Sequence, residues 1–369
     1  MQLTLERNQF LKALSHAQSV VEKRTTVPIL AHVLLEAESG QLRLTSTDLE
    51  LAIVETIPAQ IQTTGGTTVS AQLLHDIVRK LKDGSEIRLS LENEGSQLQI
   101  VSGRSEFKLA CLPPEDFPAI NTVDLPHRFT LGSKDFLNLL ERTRFAMSTE
   151  ETRYYLNGIY LHPVQSHEIR AVATDGHRLA RLSLSTSQTI PDFSGIIISR
   201  KTVNEVMKIL SESEADIEIS LSETQVSFKF NGIYLTSRLI DGSFPDYEAI
   251  IPTQNEKILK MSMAAFSEAV DRVATVSTEK SRSVKLAINN NKIILTATNS
   301  EFGSAVEELE VEYTASPIEL GFNARYLLDL SHQLSNVEAE FMMGDSATPV
   351  VVREVNNQDA FYLLMPMRV

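Results

Sequence analysis

The stretch AVATDGHRLARL, Ala171 to Leu182, gathers Asp175, His177 and Arg178 around Gly176. A carboxylate beside an imidazole can pass a proton, and a guanidinium can hold an anion, so these residue types at this spacing could do acid–base chemistry. Two other roles fit as well: a structural turn, since Asp bonds its own backbone in turns, and a site that grips a ligand without transforming it. No nucleophile or second acid–base partner accompanies the cluster in the sequence. A glycine-rich phosphate loop with lysine, GxGxxG, GxSxG and HExxH are all missing from the chain. Its eight histidines are scattered, and the closest pair, His162 and His167, reads as part of a loop without neighbouring ligands. Neither a metal nor a cofactor is expected. Cys111 is the single cysteine, which excludes an internal disulfide and a cysteine-rich zinc site.

Elements of a recurring pattern must position this cluster. Three stretches, from Glu6, Gly132 and Ser262, each carry a phenylalanine near the start and then apolar residues at helical spacing. The stripes are Phe10, Leu14, Ala17 and Val21; Phe136, Leu140 and Met147; and Phe266, Val270 and Val273. The phenylalanines lie 126 and 130 residues apart. A second trio, LTSTDLEL with Asp48, AVATDGHRLA with Asp175 and LTATNSEFG with Asn299, steps by 127 and 124 residues. AQLLHDIVRKL, RKTVNEVMKIL and ARYLLDLSHQL give each unit a second amphipathic helix. Phe117 and Phe244, each followed by proline near the end of a unit, are again 127 apart. The chain is read as three homologous domains, 1–122, 129–250 and 251–369. Asp48, Asp175 and Asn299 then look like one turn position, which Asp and Asn both suit.

Between the helices lie alternating or β-branched runs such as GQLRLTST, SEIRLSLE and NKIILTATN, joined by short polar turns. Such connections are too short for parallel crossovers. The expected class is α+β, with two helices packed on antiparallel sheets in each domain.

The chain has 369 residues, 42% hydrophobic and 22% charged, a globular balance. No apolar run approaches the roughly 18 residues of a membrane helix, and the first residues lack a signal-peptide pattern. No membrane partner is expected, and a reducing cytoplasm is the economical location. The net charge of −14 weighs against nucleic acid at first sight. The six helical segments, however, sum to +3 and leave −17 for strands and loops. A neutral to slightly basic helical surface is compatible with phosphates.

Taken together, the residues resemble the bacterial sliding clamp family, the beta subunit of DNA polymerase III. The resemblance runs over essentially the whole chain and rests on VPIL at 27–30, TDLE at 47–50, SGR at 102–104 and DFP at 116–118. RYYLNG at 153–158, ATDGHRLA at 173–180, DGSFPDY at 241–247, GFN at 321–323 and MPMR at 365–368 strengthen it. It implies a non-enzymatic head-to-tail homodimer whose six domains close a ring around duplex DNA. Twelve helices at about 10 Å spacing make a circle roughly 38 Å across. After a helix radius of about 5 Å on each side, a hole of about 28 Å is left, enough for a duplex with solvent.

The resemblance further implies a pocket for short linear peptides of the polymerase III catalytic subunit, the clamp loader, other polymerases and repair proteins. Its wall would comprise Leu156, Thr174, Gly176, His177, Arg178, Leu179, Pro245, Ile250, Asn323, Tyr326, Met365, Pro366, Met367 and Arg368. Adaptable Met and Leu side chains suit varied apolar anchors, while His177 and Arg178 offer polar contacts. DNA-facing positions would be Arg24, Arg79, Tyr154, Tyr155, Arg200 and Lys201. The dimer edge would use Arg104, Phe107 and Leu109 against the partner's segment matching Thr275 and Val276. Glu248, Ala249 and Pro349 depart from the family pattern at the pocket rim, and Glu106 interrupts the basic dimer edge. A three-domain protein-binding scaffold that never encircles DNA is the rival reading.

Overall fold

A computed structural model describes residues 1–22, 26–92, 95–120, 123–212, 214–277, 282–335 and 337–368. The first repeat runs β1 (Gln2–Glu6), α1 (Arg7–Val20), β2 (His32–Glu38), β3 (Gln41–Thr47), β4 (Leu51–Pro58) and β5 (Gln60–Thr63). It ends with β6 (Gly65–Ser70), α2 (Ala71–Lys80), β7 (Glu86–Glu92), β8 (Gln97–Ser102) and β9 (Ser105–Leu112). The second holds β10 (His127–Leu131), α3 (Ser133–Arg144), β11 (Gly158–Gln165), β12 (Glu168–Thr174) and β13 (Arg178–Ser185). There follow β14 (Ile196–Ser199), α4 (Arg200–Leu210), β15 (Ile217–Leu221), β16 (Gln225–Phe230) and β17 (Ile233–Arg238). The third comprises β18 (Lys257–Ser262), α5 (Met263–Ala274), β19 (Ser283–Asn289), β20 (Lys292–Asn299) and β21 (Gly303–Glu310). It closes with β22 (Ile318–Asn323), α6 (Ala324–Gln333), β23 (Glu338–Met343), β24 (Val350–Glu354) and β25 (Ala360–Leu364). Apart from the extra β5, the order is the same three times: a strand, a helix, a run of strands, a helix and three strands.

The helices form where the stripes predict them. Phe10, Phe136 and Phe266 are fully buried, each contributing about 1.5–3 kcal/mol relative to exposure. Glu6 caps α1 by accepting from the amides of Asn8 and Gln9, and Asn323 caps α6 through the amide of Arg325. The helices are shorter than the sequence pattern suggests. α3 ends at Arg144, so the buried Met147 packs from beyond it, and residues 151–156 form a separate 3-10 turn. His162, expected in a loop, lies on strand β11; its period-2 alternation was masked by the adjacent Pro163.

Contacts divide the chain into two compact units: Met1–Leu137 with Gln188–Ser194 and Lys201–Leu239, and Asn138–Ser187 with Gly195–Arg200 and Ile240–Val369. In the first unit a single sheet runs β10-β15-β16-β17-β4-β3-β2-β6-β9-β8-β7-β1-β5. α1 packs beside α2 and on β3 and β4, over a core that includes Leu3, Phe10, Leu14, Leu35 and Leu42. In the second unit one sheet runs β14-β11-β12-β13-β25-β24-β23-β18 and another β21-β20-β19-β22, with α5 beside α6 and on β19 to β21. All pairings in these sheets are antiparallel, as the short connections require. The central repeat is shared between the units because the sheets cross repeat boundaries: β17 pairs with β4 through Leu235↔Ile53, and β13 with β25 through Leu179↔Leu363. Among the edges left open, β21 has a neighbour on one side, and β9 is paired with β6 only at Leu112 and Cys111.

Candidate functional site

Asp175 ends β12 and begins the turn into β13. Its Oδ1 accepts from the backbone N–H groups of His177 (2.9 Å) and Arg178 (3.0 Å). Asp48 makes the same two bonds to Glu50 and Leu51 at 2.9 and 2.7 Å, and Asn299 to Glu301 and Phe302 at 2.8 and 3.1 Å. One side-chain oxygen suffices for this turn, which is why Asn serves in the third copy. Thr174 reinforces the second copy. It is buried, its Oγ1 donates to the Arg178 carbonyl at 2.7 Å, and it accepts from the Gly176 amide at 3.1 Å.

Gly176 has φ +88°, and a Cβ there would stand 2.5 Å from Nη1 of Arg153. That nitrogen donates to the Asp175 carbonyl at 3.1 Å, so close approach and left-handed backbone both call for glycine.

Arg178 is 8% exposed. Its Nε donates to Asp175 Oδ2 at 3.0 Å, Nη1 to Asp329 Oδ2 at 2.6 Å and Nη2 to the Phe145 carbonyl at 2.7 Å. The guanidinium carbon lies 4.4 Å from the Tyr326 ring centre and 5.2 Å from that of Phe145. Burial pushes the Tyr326 phenol pKa up. Arg178 therefore frames the wall with its donors turned inward. His177 is the exposed member, its ring stacked on Tyr326 at 6.4 Å and 22°. Acid–base chemistry has little to work with here: Asp175 spends both oxygens on N–H donors, and the adjoining Thr174 hydroxyl is spent on the Arg178 carbonyl.

The terminal segment reaches the same place through strand pairing. Arg178 stands opposite Leu364 in β25, the Met365 amide donates to the His177 carbonyl at 2.9 Å, and the Met367 amide to Gly321 at 2.8 Å. Met365 and Met367 are each 40% exposed. Two residues before Met365, Leu363 joins Val172, Leu179, Tyr247, Val351 and Phe361 in a buried cluster, with Tyr160, Phe244, Ile251 and Met342 packed against it. Tyr160 and Phe244 stack at 4.8 Å. The geometry thus joins Thr174, Gly176, His177, Arg178, Leu179, Tyr326, Met365 and Met367, with Asn323 at the start of the same helix as Tyr326. Pro245 and Ile250 are exposed residues flanking Phe244 and Ile251 of the cluster, Pro366 lies between the two methionines, and Arg368 is exposed beyond them. Leu156 is buried, and its carbonyl accepts from Ser148 at 2.9 Å. Sequence reasoning missed Val172, Val351 and Leu363; the pairing of Leu179 with Leu363 is what reveals them.

Residues 1–121, 130–246 and 248–368 match, in order, the N-terminal, central and C-terminal domains of the DNA polymerase III beta subunit. The chain belongs to the DNA polymerase III beta subunit family. The beta sliding clamp of Caulobacter vibrioides is 46% identical over 372 residues, and that of Escherichia coli K12 is 37% identical over 369, each with 100% of both chains covered. Among solved structures, a sliding clamp from Bartonella birtlesii bound to griselimycin has a TM-score of 0.96 at 46% identity, covering 100% of both chains. A Caulobacter crescentus clamp with polyethylene glycol at a putative beta-motif tethering region also reaches 0.96 at 46% identity, covering 100% of this chain and 99% of that one. The function is that of a DNA sliding clamp, a non-catalytic processivity factor for the polymerase, and the Asp–His–Arg turn belongs to a clamp rather than to an enzyme.

The remaining expected positions in this clamp are dispersed. Arg79, at the end of α2, is mostly exposed and pairs with Asp76 at 3.3 Å. Tyr154 is 53% exposed and meets Tyr155 edge to face at 5.8 Å. Arg200 donates to the carbonyls of Met147 (2.9 Å) and Ser148, and burial pushes its pKa down. Lys201 reaches the Asp48 carboxylate and the Val20 carbonyl, the latter at 2.9 Å. Arg24 lies outside the described residues. On the β9 edge Arg104 is exposed, Phe107 half-buried and Leu109 buried, while Glu106 accepts from Gln99 at 2.8 Å on the face of Lys108. Thr275 and Val276 follow α5, whose Arg272 bonds Glu307 of β21 at 2.6 Å.

Proposed function

We propose that two copies of this clamp join head to tail into a ring around duplex DNA, with domains at 1–122, 129–250 and 251–369. One observation carries the reading: the same strand positions meet at both repeat boundaries inside the chain. β4 and β13 are equivalent strands, each following the Asx turn, and they pair with β17 and β25, the last strands of the next repeat. By the same rule β21 should take the last strand of a further repeat. The open β9 edge of a second copy is that strand.

The register can be carried over. Leu51 and Phe302 occupy the same place after their turns, and Ser105 and Ile233 open equivalent hairpin strands through Ser102↔Ser105 and Phe230↔Ile233. The pairs Ser237↔Leu51 and Leu235↔Ile53 then become Leu109 opposite Phe302 and Phe107 opposite Ser304 of the partner, with Arg104 beside Glu307. Phe302 and Val306, each 66% exposed in the single chain, would be covered, and Thr275 and Val276 would flank the joint from the end of α5.

Attraction to phosphates by Arg24, Arg79, Tyr154, Tyr155, Arg200 and Lys201 would be weak and sequence-independent, so the ring slides while its closure prevents escape. The surface around Leu179, His177 and Met365, out to Arg368, would hold short linear segments of the polymerase III catalytic subunit, the clamp loader, other polymerases and repair proteins. The clamp would act where the DNA is, in the cytoplasm; no helix among the described residues is long and apolar enough to cross a membrane. The test is to load the protein with its loader onto nicked circular DNA, then linearise half the sample. Retention on circles and loss from linear DNA is expected. Equal loss from both topologies would overturn the ring.

A further inference from the structure

The apolar face around Leu179 runs on into a charged one. Opposed residues of antiparallel strands share a face, and the register lays out successive rows across this sheet. One row holds Thr174, Leu179, Leu363 and Val351. The next holds Tyr160, Val172, Arg181 and Phe361. A third holds His162, Arg170 and Ser183. Arg181 thus stands on the face of the apolar cluster, two residues along β13 from Leu179, or about 7 Å.

The two arginines differ in what they hold. Each guanidinium nitrogen of Arg170 has an acceptor: Nη1 meets Glu248 at 2.9 Å and the Tyr247 hydroxyl at 3.0 Å, Nη2 meets Glu168 at 3.3 Å, and Nε meets Ser183 Oγ at 3.0 Å. Both nearby carboxylates are therefore taken. The Arg181 side chain makes no ion pair or hydrogen bond among the described residues, and its Nε is buried without a partner. Its guanidinium lies over the Phe361 ring, 4.0 Å from the centre. Burial, reinforced by the charge of Arg170, pushes its pKa down. An orphaned buried donor costs about 1–3 kcal/mol. A guanidinium stacked on an aromatic ring is already oriented, and its planar fork matches a carboxylate. The unmet need is an anion beside the apolar floor.

We propose that Arg181 is a carboxylate-binding extension of the apolar surface around Leu179 and Leu363, so that segments captured there carry an Asp or Glu side chain next to their apolar anchor. This rests on the reading of that surface as the partner site, and it names a specificity that reading leaves open. The ligand chemistry follows from the donor set: Glu168 and Glu248 attract Arg181 but bond Arg170, which leaves the Arg181 guanidinium without a hydrogen-bonded acceptor among the described residues.

Fluorescence anisotropy with two synthetic peptides tests it. Both carry two leucine anchors and are amidated at the C-terminus; one continues with glutamate, the other with glutamine. The wild-type clamp should prefer the glutamate peptide by about tenfold, the scale of one charge-assisted hydrogen bond, and the preference should shrink as added salt screens the pair. Arg181→Leu should bring the ratio to about one, and Arg181→Lys should restore part of it. Thermal melts of the variants check that each is folded, and Arg181→Gln repeats the measurement if the leucine variant is not. Equal wild-type affinities, or a preference that survives Arg181→Leu and Arg181→Gln, would overturn the proposal. So would a gain from a free C-terminal carboxylate without any gain from glutamate. If neither peptide binds the wild type, the partner-site reading fails first; if both bind equally, that reading stands and only the role of Arg181 falls.

Discussion

The turns at Asp48 and Asp175 have the same backbone hydrogen bonds and different surroundings. After Asp48 comes Leu49, held at φ +79° and 57% exposed. After Asp175 comes Gly176, beside the Arg153 guanidinium. The second oxygen of Asp48 meets Lys201, whose side chain is 40% exposed, whereas that of Asp175 meets Arg178, which is 8% exposed and also holds Asp329 and Phe145. The turn belongs to the fold, since it recurs wherever the repeat does. What the middle copy adds is an anchored arginine and, through it, a wall in which Tyr326 carries the His177 ring while the His177 carbonyl holds the Met365 amide.

The contrast breaks most visibly at Arg178. Arg178→Leu leaves two partly buried carboxylates facing each other and strips the Phe145 carbonyl of its donor. The expected cost is about 3 kcal/mol, read as faster amide exchange across β12 and β13 with little change in β3 and β4. A cost under about 1 kcal/mol would mean the arginine is not the anchor of the site. Gly176→Ala comes next. It imposes a side chain on left-handed backbone and displaces Arg153 from the Asp175 carbonyl, for about 1–2 kcal/mol in the same local measurement. Unchanged protection would show that Arg153 moves aside freely and that glycine is not required.

How much of this could be read from sequence depends on the kind of contact. Bonds within a few residues were legible: the Asp/Asn exchange among 48, 175 and 299 pointed to a turn, and the phenylalanine-led stripes to three buried helices. Contacts set by strand pairing were not. β25 is AFYLL, all five residues buried, so its apolar run does not say which residues face Leu179. Arg178 advertises a cation, but Asp329, 151 residues away, decides that its charge is spent inside. Arg181 looks like a solvated strand residue until the register sets it beside Val172 and Phe361. The joints β4 to β17 and β13 to β25 carry no sequence mark, because any open antiparallel edge offers the same backbone groups.

The smallest effect sharpens the comparison most. Asp48→Asn and Asp175→Asn should each keep the turn, since Asn299 makes both backbone bonds with its amide oxygen. What is lost is one charged partner. Lys201 is 40% exposed and can rehydrate, although the Asp48 side chain is only 6% exposed, so Asp48→Asn should cost about 0.5 kcal/mol and weaken at high salt. Arg178 is enclosed, so Asp175→Asn should cost about 1–1.5 kcal/mol and persist in salt. A chain of this size need not unfold in one step, which makes exchange of the Glu50, Leu51, His177 and Arg178 amides the right meter. Equal losses at the two turns would mean that the middle copy gains nothing from its arginine beyond what a surface lysine supplies.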